Sequence, residues 1–144
     1  MERHQLNRLL EAYRPLLDNC VDSSPDTIEV SALGTMLQSF YNGAENIFKR
    51  DALELDGELP RGDSWHRDLL ESMTRHSKNR PALISLALRD RLKDYLHFRH
   101  VFRSAYGFLL DWAKMAPLVL KLDSTRRMLE TELEAFLASE SSGH

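Results

Sequence analysis

Apolar residues recur every three or four positions along most of the chain, the spacing that gathers them on one face of an α-helix. Pro15 is expected to bend or end the first predicted helix, whose apolar stripe comprises Leu6, Leu9, Leu10, Tyr13, Leu16 and Leu17. Ser24-Pro25-Asp26 then offers a capping oxygen and a proline suited to a first helical turn. A second helix is therefore predicted from about Thr27 to Leu55, and its apolar side comprises Val30, Leu33, Leu37, Phe40, Ala44, Ile47 and Phe48.

The remainder of the chain predicts three more helices. A turn-rich connection from Asp56 to Asp63 precedes a third helix, which Asp63 or Ser64 can cap and which carries Trp65, Leu69, Leu70 and Met73. Residues 82–115 contain no proline and only one glycine, Gly107, so a single long helix with a kink near that glycine is predicted. Pro117 is expected to open the last helix, which carries Leu118, Leu122, Met128, Leu129, Leu133, Phe136 and Leu137.

These elements predict an all-α fold, an up-and-down bundle of about five helices. The chain has 144 residues, of which 42% are hydrophobic, which suits one compact domain. We expect that domain to span residues 1–138 and residues 139–144 to form a flexible tail. No stretch alternates with the period of two that a strand requires.

Composition restricts the classes of function. The formal net charge is −3, so a nucleic-acid site would have to be a local basic patch. The single cysteine, Cys20, excludes an internal disulfide framework and a cysteine-based zinc module, and on its apolar stripe it is expected to be a small core residue. The N-terminus lacks the apolar core of a signal peptide, and no apolar run is long enough to span a bilayer. We therefore expect a soluble cytoplasmic protein without a membrane partner.

The segment from Tyr95 to Trp112 carries the strongest chemical signal. Wound as one helix, it has an apolar side opposite a polar arc. The apolar side comprises Phe98, Val101, Phe102, Ala105, Phe108, Leu109 and Trp112. The polar arc comprises His97, Arg99, His100, Arg103, Ser104 and Asp111. The polar arc concentrates guanidinium and imidazole groups, and Arg89, Arg91 and Lys93 extend it upstream. Such an arc attracts anions, of which phosphate fits best. Spacing alone favours a plainer alternative, in which the arc pairs with acidic residues of another helix or of a partner chain.

Two further sites receive weaker support. Asp94, His97 and His100 lie on adjacent turns, but the neighbouring Arg99 and Arg103 would repel a divalent cation, so neither a metal nor a cofactor is expected. Trp65-His66 opens the third helix and is either a packing anchor or part of a functional cleft. Packing is the favoured interpretation.

The stretch from Leu96 to Gly107 resembles the signature helix of HEPN-domain ribonuclease toxins of the HepT type. The family motif is an Arg, four to six residues, then a His, with a Tyr two positions after the His. Arg99 matches the Arg and Tyr106 matches the Tyr, whereas Ser104 occupies the His position. Residues 40–48 and 65–70 also resemble HepT-type helices, so the likeness extends over most of the chain.

The resemblance implies a HEPN-like homodimer in which the two signature helices form a shared RNA-cleaving cleft. Family members are metal-independent endoribonucleases, in which the His acts as acid or base and the Arg stabilises charge on the scissile phosphate. It also implies an antitoxin partner, a minimal nucleotidyltransferase of the MNT type, that transfers AMP to the motif Tyr, here Tyr106. Arg103, His97 and Arg91 are the expected RNA-binding residues.

Ser104 divides the functional expectation into two hypotheses. A serine hydroxyl is no general base near neutral pH, so the ribonuclease activity is expected to be attenuated or absent, with His100 as the candidate substitute one turn earlier. The alternative is a non-catalytic helical subunit that docks a nucleotidyltransferase and uses the polar arc only to hold nucleotide or RNA. Ser104 favours this alternative, whereas Arg99 together with Tyr106 favours the toxin.

Overall fold

The computed structural model describes residues 2–76, 80–104 and 110–142, and these ranges form six α-helices. The helices are α1 (Glu2–Ala12), α2 (Arg14–Asp22), α3 (Thr27–Leu55), α4 (Trp65–Ser72), α5 (Leu86–Ser104) and α6 (Trp112–Ser142). The predicted all-α architecture is confirmed, although about five helices were expected. In the described ranges, no helix combines the length and apolar character needed to cross a bilayer.

The central helix is α3, which packs against α1, α4, α5 and α6. Its bounds agree with the prediction because its N-terminus is specified locally. The Asp26 carboxylate accepts a hydrogen bond from the backbone N–H of Glu29 at 2.8 Å, and the Glu29 carboxylate accepts one from the N–H of Asp26 at 2.9 Å. All seven residues predicted for its apolar side are buried. The core of the bundle is therefore built around this helix.

The first predicted helix is divided in two at Tyr13. Pro15 lies in the first turn of α2, where its missing N–H is no loss because that turn has no intrahelical acceptor for it. The expected effect of Pro15 is thus confirmed. Leu6, Leu10 and Leu17 of the predicted stripe are buried in the common core, and Cys20 packs against its edge.

The single helix predicted over residues 82–115 is wrong, because local caps begin α5 late and start a new helix at Trp112. Ser85 caps α5 by accepting a hydrogen bond from the N–H of Leu88 at 3.1 Å. At the other end α5 stops at Ser104, and Asp111 begins α6 by accepting from the N–H of Ala113 at 2.9 Å. Asp111 is therefore a helix cap and no member of a continuous polar arc.

The bounds of α6 correct one further prediction. Pro117 lies inside α6, whose first turn is formed five residues earlier because Asp111 caps it. At its other end α6 continues to Ser142 and so includes residues 139–142 of the segment predicted as a flexible tail.

A buried arginine joins the end of α3 to the connection between α4 and α5. Arg80 is 6% exposed, and its Nε and NH2 atoms donate to the two carboxylate oxygens of Asp56, each at 3.0 Å. The same guanidinium donates to the backbone carbonyls of Ser72, Arg75 and Pro81. This cluster, which we call the Arg80 clasp, fixes the C-terminal end of the short helix α4.

Candidate functional site

Arg99, which periodicity placed on the polar arc, is buried. Only 4% of the residue is exposed, because α3 covers it. NH1 donates to Asn42 at 2.8 Å and to Glu45 Oε1 at 3.1 Å, and NH2 donates to Glu45 Oε2 at 3.2 Å. Arg99 therefore pairs with an acidic residue of another helix, which is the alternative that spacing alone favoured.

The partner carboxylate belongs to Glu45, which is 6% exposed and lies on the buried side of α3. A buried carboxylate needs a counter-charge and hydrogen-bond donors, and Arg99 supplies both in a forked arrangement. The guanidinium also lies over the ring of Tyr41, 4.9 Å from its centroid. Burial raises the pKa of Tyr41 and Glu45 raises it further, while Arg99 acts in the opposite direction, so this phenol stays neutral.

His66 joins this cluster from α4. Its Nδ1 lies 2.8 Å from Glu45 Oε2 and 2.9 Å from Arg99 NH2. Nδ1 cannot both donate a hydrogen bond to Glu45 and accept one from Arg99. If Nδ1 carried a lone pair, that pair would face the carboxylate oxygen at close range, so Nδ1–H donating to Glu45 is the favourable tautomer. The Trp65 ring packs against the imidazole, with the centroids 3.7 Å apart and the ring planes tilted by 31°.

Two adjoining grooves lie beside this cluster, between α4 and α5. His66, Leu96 and His100 line both of them. The larger, of about 440 Å³, is also lined by Asp63, Ser64, Arg67, Lys93 and His97. The smaller, of about 340 Å³, is also lined by Arg99 and Arg103. Cationic and imidazole groups outnumber the single carboxylate, so together these two cavities, which we call the α4–α5 groove, suit an anionic ligand.

The predicted site residues divide between this groove and other places. The groove brings together Arg99, His97, His100 and Arg103. Arg91 lines neither cavity, because its guanidinium donates to the hydroxyls of Ser124 and Thr125 on α6. Ser104 is the last residue of α5, and Tyr106 lies outside the described residues.

The predicted apolar side of this segment also needs correction. Phe98 is buried, but Val101 is 41% exposed, and Tyr95, which belongs to neither predicted face, is 1% exposed. The Tyr95 hydroxyl donates to the Leu118 carbonyl at 2.6 Å, so the buried phenol has a partner. Phe102 packs close to Gly34 of α3, where an added Cβ would lie 2.6 Å from the phenylalanine ring. Glycine at that position lets the end of α5 approach α3.

Sequence reasoning missed Asn42 and Glu45 as members of the site, and it favoured packing over a place in a cleft for His66. A signal for Glu45 was present: it lies one helical turn from both Tyr41 and Phe48, so a charge occurs within the apolar face of α3. A charge in that position indicates a buried partner. His66 had been assigned to packing, whereas its ring touches the charged pair and lines the groove.

Comparison with known proteins gives one family match. The family model for HepT-like proteins matches residues 32–139, which is more than half of the chain and includes Glu45, His66, Arg99 and Ser104. The chain therefore belongs to the HepT-like protein family. No curated protein and no solved structure matches it.

Proposed function

We propose that this chain is the toxin-type component of a HEPN/MNT toxin–antitoxin pair, with an endoribonuclease site attenuated by Ser104 at the position of the motif histidine. The observation that carries the proposal is the meeting of Arg99, His100 and Arg103 at one groove. Guanidinium groups match the phosphates of RNA, and imidazole groups exchange protons with ribose hydroxyls. Membership of the HepT-like family supports the same function.

The decisive test is the Ser104→His variant. The substitution adds an imidazole one helical turn and a half from Arg99, so we expect cleavage of single-stranded RNA to rise by about 10²–10⁴-fold. Cleavage should persist in EDTA and leave a 2′,3′-cyclic phosphate, which mass spectrometry of the products detects. Because Arg99 is buried, Arg99→Lys, which retains a charge for Glu45, is a better control than Arg99→Ala; it should lower the rate of the Ser104→His protein at least tenfold. Equal cleavage by the Ser104 and Ser104→His proteins would contradict the role assigned to position 104.

Regulation by AMP transfer forms a separate part of the proposal. Tyr106, two positions after Ser104, is the proposed acceptor for an MNT-type nucleotidyltransferase. After incubation with that enzyme and ATP, intact mass spectrometry should show added AMP on the unaltered chain and none on Tyr106→Phe. Tyr95→Phe is the matched control, because it removes a buried tyrosine and should leave the modification intact. Modification of Tyr106→Phe to the same extent would exclude Tyr106.

The non-catalytic alternative has one specific observation in its favour. Three hydrogen bonds to Asn42 and Glu45 already occupy the guanidinium of Arg99, which leaves it few donors for a phosphate. Under this alternative the chain binds nucleotide or RNA and docks a nucleotidyltransferase without cutting. RNA binding by Ser104→His without cleavage would favour this binding subunit over the toxin.

A further inference from the structure

We propose that His66 is the proton acceptor for the residual RNA cleavage by the Ser104 protein, an inference that rests on the proposed ribonuclease function. The motif histidine is replaced by Ser104, yet an imidazole from another helix reaches the motif arginine. His66 Nδ1 lies 2.9 Å from Arg99 NH2, and the residue lines both cavities of the α4–α5 groove.

The orientation of the ring suits a base. Nδ1–H donates to Glu45 at 2.8 Å, which fixes the tautomer in which Nε2 carries the lone pair. Nε2, on the opposite edge of the ring, has no hydrogen-bond partner among the described residues, and 32% of the side chain is exposed. A carboxylate behind an imidazole also stabilises the imidazolium that forms when the ring takes up a proton.

The Arg99–Glu45 pair does not need His66 for its own stability. Both oxygens of Glu45 already accept hydrogen bonds from Arg99, so the buried charges are paired without the imidazole. The His66 ring also packs against Trp65, which restricts its orientation. A ring that is oriented on both sides and open at Nε2 is arranged to act on a ligand.

The charges around His66 favour a phosphate ester as that ligand. Glu45 approaches from α3, Arg67 and Asp63 lie on the α4 side, and α5 contributes Lys93, Arg99, His100 and Arg103.

In the proposed step, the Nε2 atom of His66 takes the proton of a ribose 2′-hydroxyl. The 2′-oxygen forms a bond to the adjacent phosphorus, and the bond from phosphorus to the 5′-oxygen breaks. The leaving oxygen takes a proton from water, and the hydroxide so formed takes the proton from His66. The products are a 2′,3′-cyclic phosphate and a 5′-hydroxyl.

The test compares His66→Asn with the unaltered protein on a panel of 5′-labelled single-stranded RNA oligonucleotides. An asparagine amide donates to Glu45 from about the place of Nδ1 and has no atom in the place of Nε2. We therefore expect an unchanged thermal midpoint and an initial cleavage rate about 10²-fold lower. Free imidazole should partly restore the rate of His66→Ala. His76→Asn is the matched control, because His76 is exposed and lines neither cavity of the groove, and its rate should be unchanged.

The same substitution in the Ser104→His protein distinguishes failure of this inference from failure of the proposed ribonuclease function. With Ser104→His present, a new imidazole takes over the step, so His66→Asn should lower the rate less than threefold. If Ser104→His cleaves while the Ser104 protein gives no cleavage, or if His66→Asn cleaves as fast as the unaltered protein, His66 is excluded and the ribonuclease proposal stands. If neither the Ser104 protein nor Ser104→His cleaves any oligonucleotide, the ribonuclease proposal itself is overturned.

Discussion

Arg99 and Glu45 form a pair of opposite charges that excludes most water, with 5% and 7% of their side chains exposed. Removing either partner leaves the other charge buried and unpaired, which costs far more than the pair contributes as a whole. The residue that the motif identifies is therefore a determinant of folding, in addition to the chemical role proposed for it. Loss of activity on substituting Arg99 has to be separated from loss of the fold.

A double-mutant cycle measures this coupling. Glu45→Leu and Arg99→Met should each lower the free energy of unfolding by about 3–5 kcal/mol, whereas the double substitution should cost clearly less than the sum. Urea unfolding followed by circular dichroism gives all four values. Arg127→Ala is the control, because its ion pair with Asp123 is long, at 3.7 Å, and exposed, so a change below about 1 kcal/mol is expected. Additive effects of the two core substitutions would contradict a coupled pair.

The spacing of residues identified Arg99, but it could not reveal what covers it. A helical wheel describes one helix, and burial depends on the helix packed against it. The carboxylate that neutralises Arg99 lies 54 residues away on α3. His66 lies 33 residues away, on a helix of only eight residues. The chemical type of the site was thus accessible from sequence, whereas its geometry depended on tertiary contacts.

Among the helices, α5 is held against two neighbours by contacts of different kinds. Phe102 packs on α3 at Gly34, and the Tyr95 hydroxyl donates to α6. Burial raises the pKa of Tyr95 to about 12 from 10.0. Unfolding frees this phenol to ionise at lower pH, so its contribution to stability is complete below about pH 10 and is lost as the pH rises towards 12.

The Tyr95→Phe variant tests that contribution. At neutral pH the free energy of unfolding of this variant should be about 1 kcal/mol lower, which is the net contribution of one hydrogen bond. Between pH 10 and 12 its stability should fall less steeply than that of the unaltered protein, by on the order of 2 kcal/mol over the range. Tyr41, whose pKa is also raised by burial, keeps some pH dependence in both proteins. Urea unfolding at several alkaline pH values measures the difference, and parallel pH profiles of the two proteins would contradict it.

Helix boundaries were predictable where a local signal was strong. Ser24-Pro25-Asp26 predicted the start of α3, where the structure shows a capping box between Asp26 and Glu29, and Pro15 predicted the break before α2. The division between α5 and α6 was missed because Asp111 fits two roles, a polar position on a long helix and an N-cap. The hydrogen bond from the Ala113 N–H to the Asp111 carboxylate shows that the second role applies.

At the scale of the whole molecule, the distribution of charge bears on nucleic-acid binding more than the net charge does. The chain carries a net charge of −3, while the α4–α5 groove gathers cationic side chains. An overall negative charge disfavours indiscriminate contact with nucleic acid, and a local positive surface retains an attraction for phosphates. A shared cleft between two copies of this chain would double the number of such groups facing one RNA strand.

We therefore predict a homodimer with two-fold symmetry at micromolar concentration. Multi-angle light scattering should give about twice the chain mass of 16.7 kDa. The dimer should persist in the Lys93→Ala variant, whose side chain is half exposed at the groove and serves as a control for non-specific effects of charge. A monomer throughout the micromolar range would contradict the shared cleft and weaken the ribonuclease proposal with it.

The Arg80 clasp restricts the conformations of the chain between Asp56 and Arg80. Asp56 and Arg80 are 24 residues apart, and their paired hydrogen bonds close that stretch into a loop, as a disulfide would, without a covalent bond. The whole of α4 lies inside the loop. A helix of eight residues has little stability of its own, so the closure limits the conformations open to α4 in partly unfolded states. The placement of the His66 imidazole therefore depends on an arginine that never touches it.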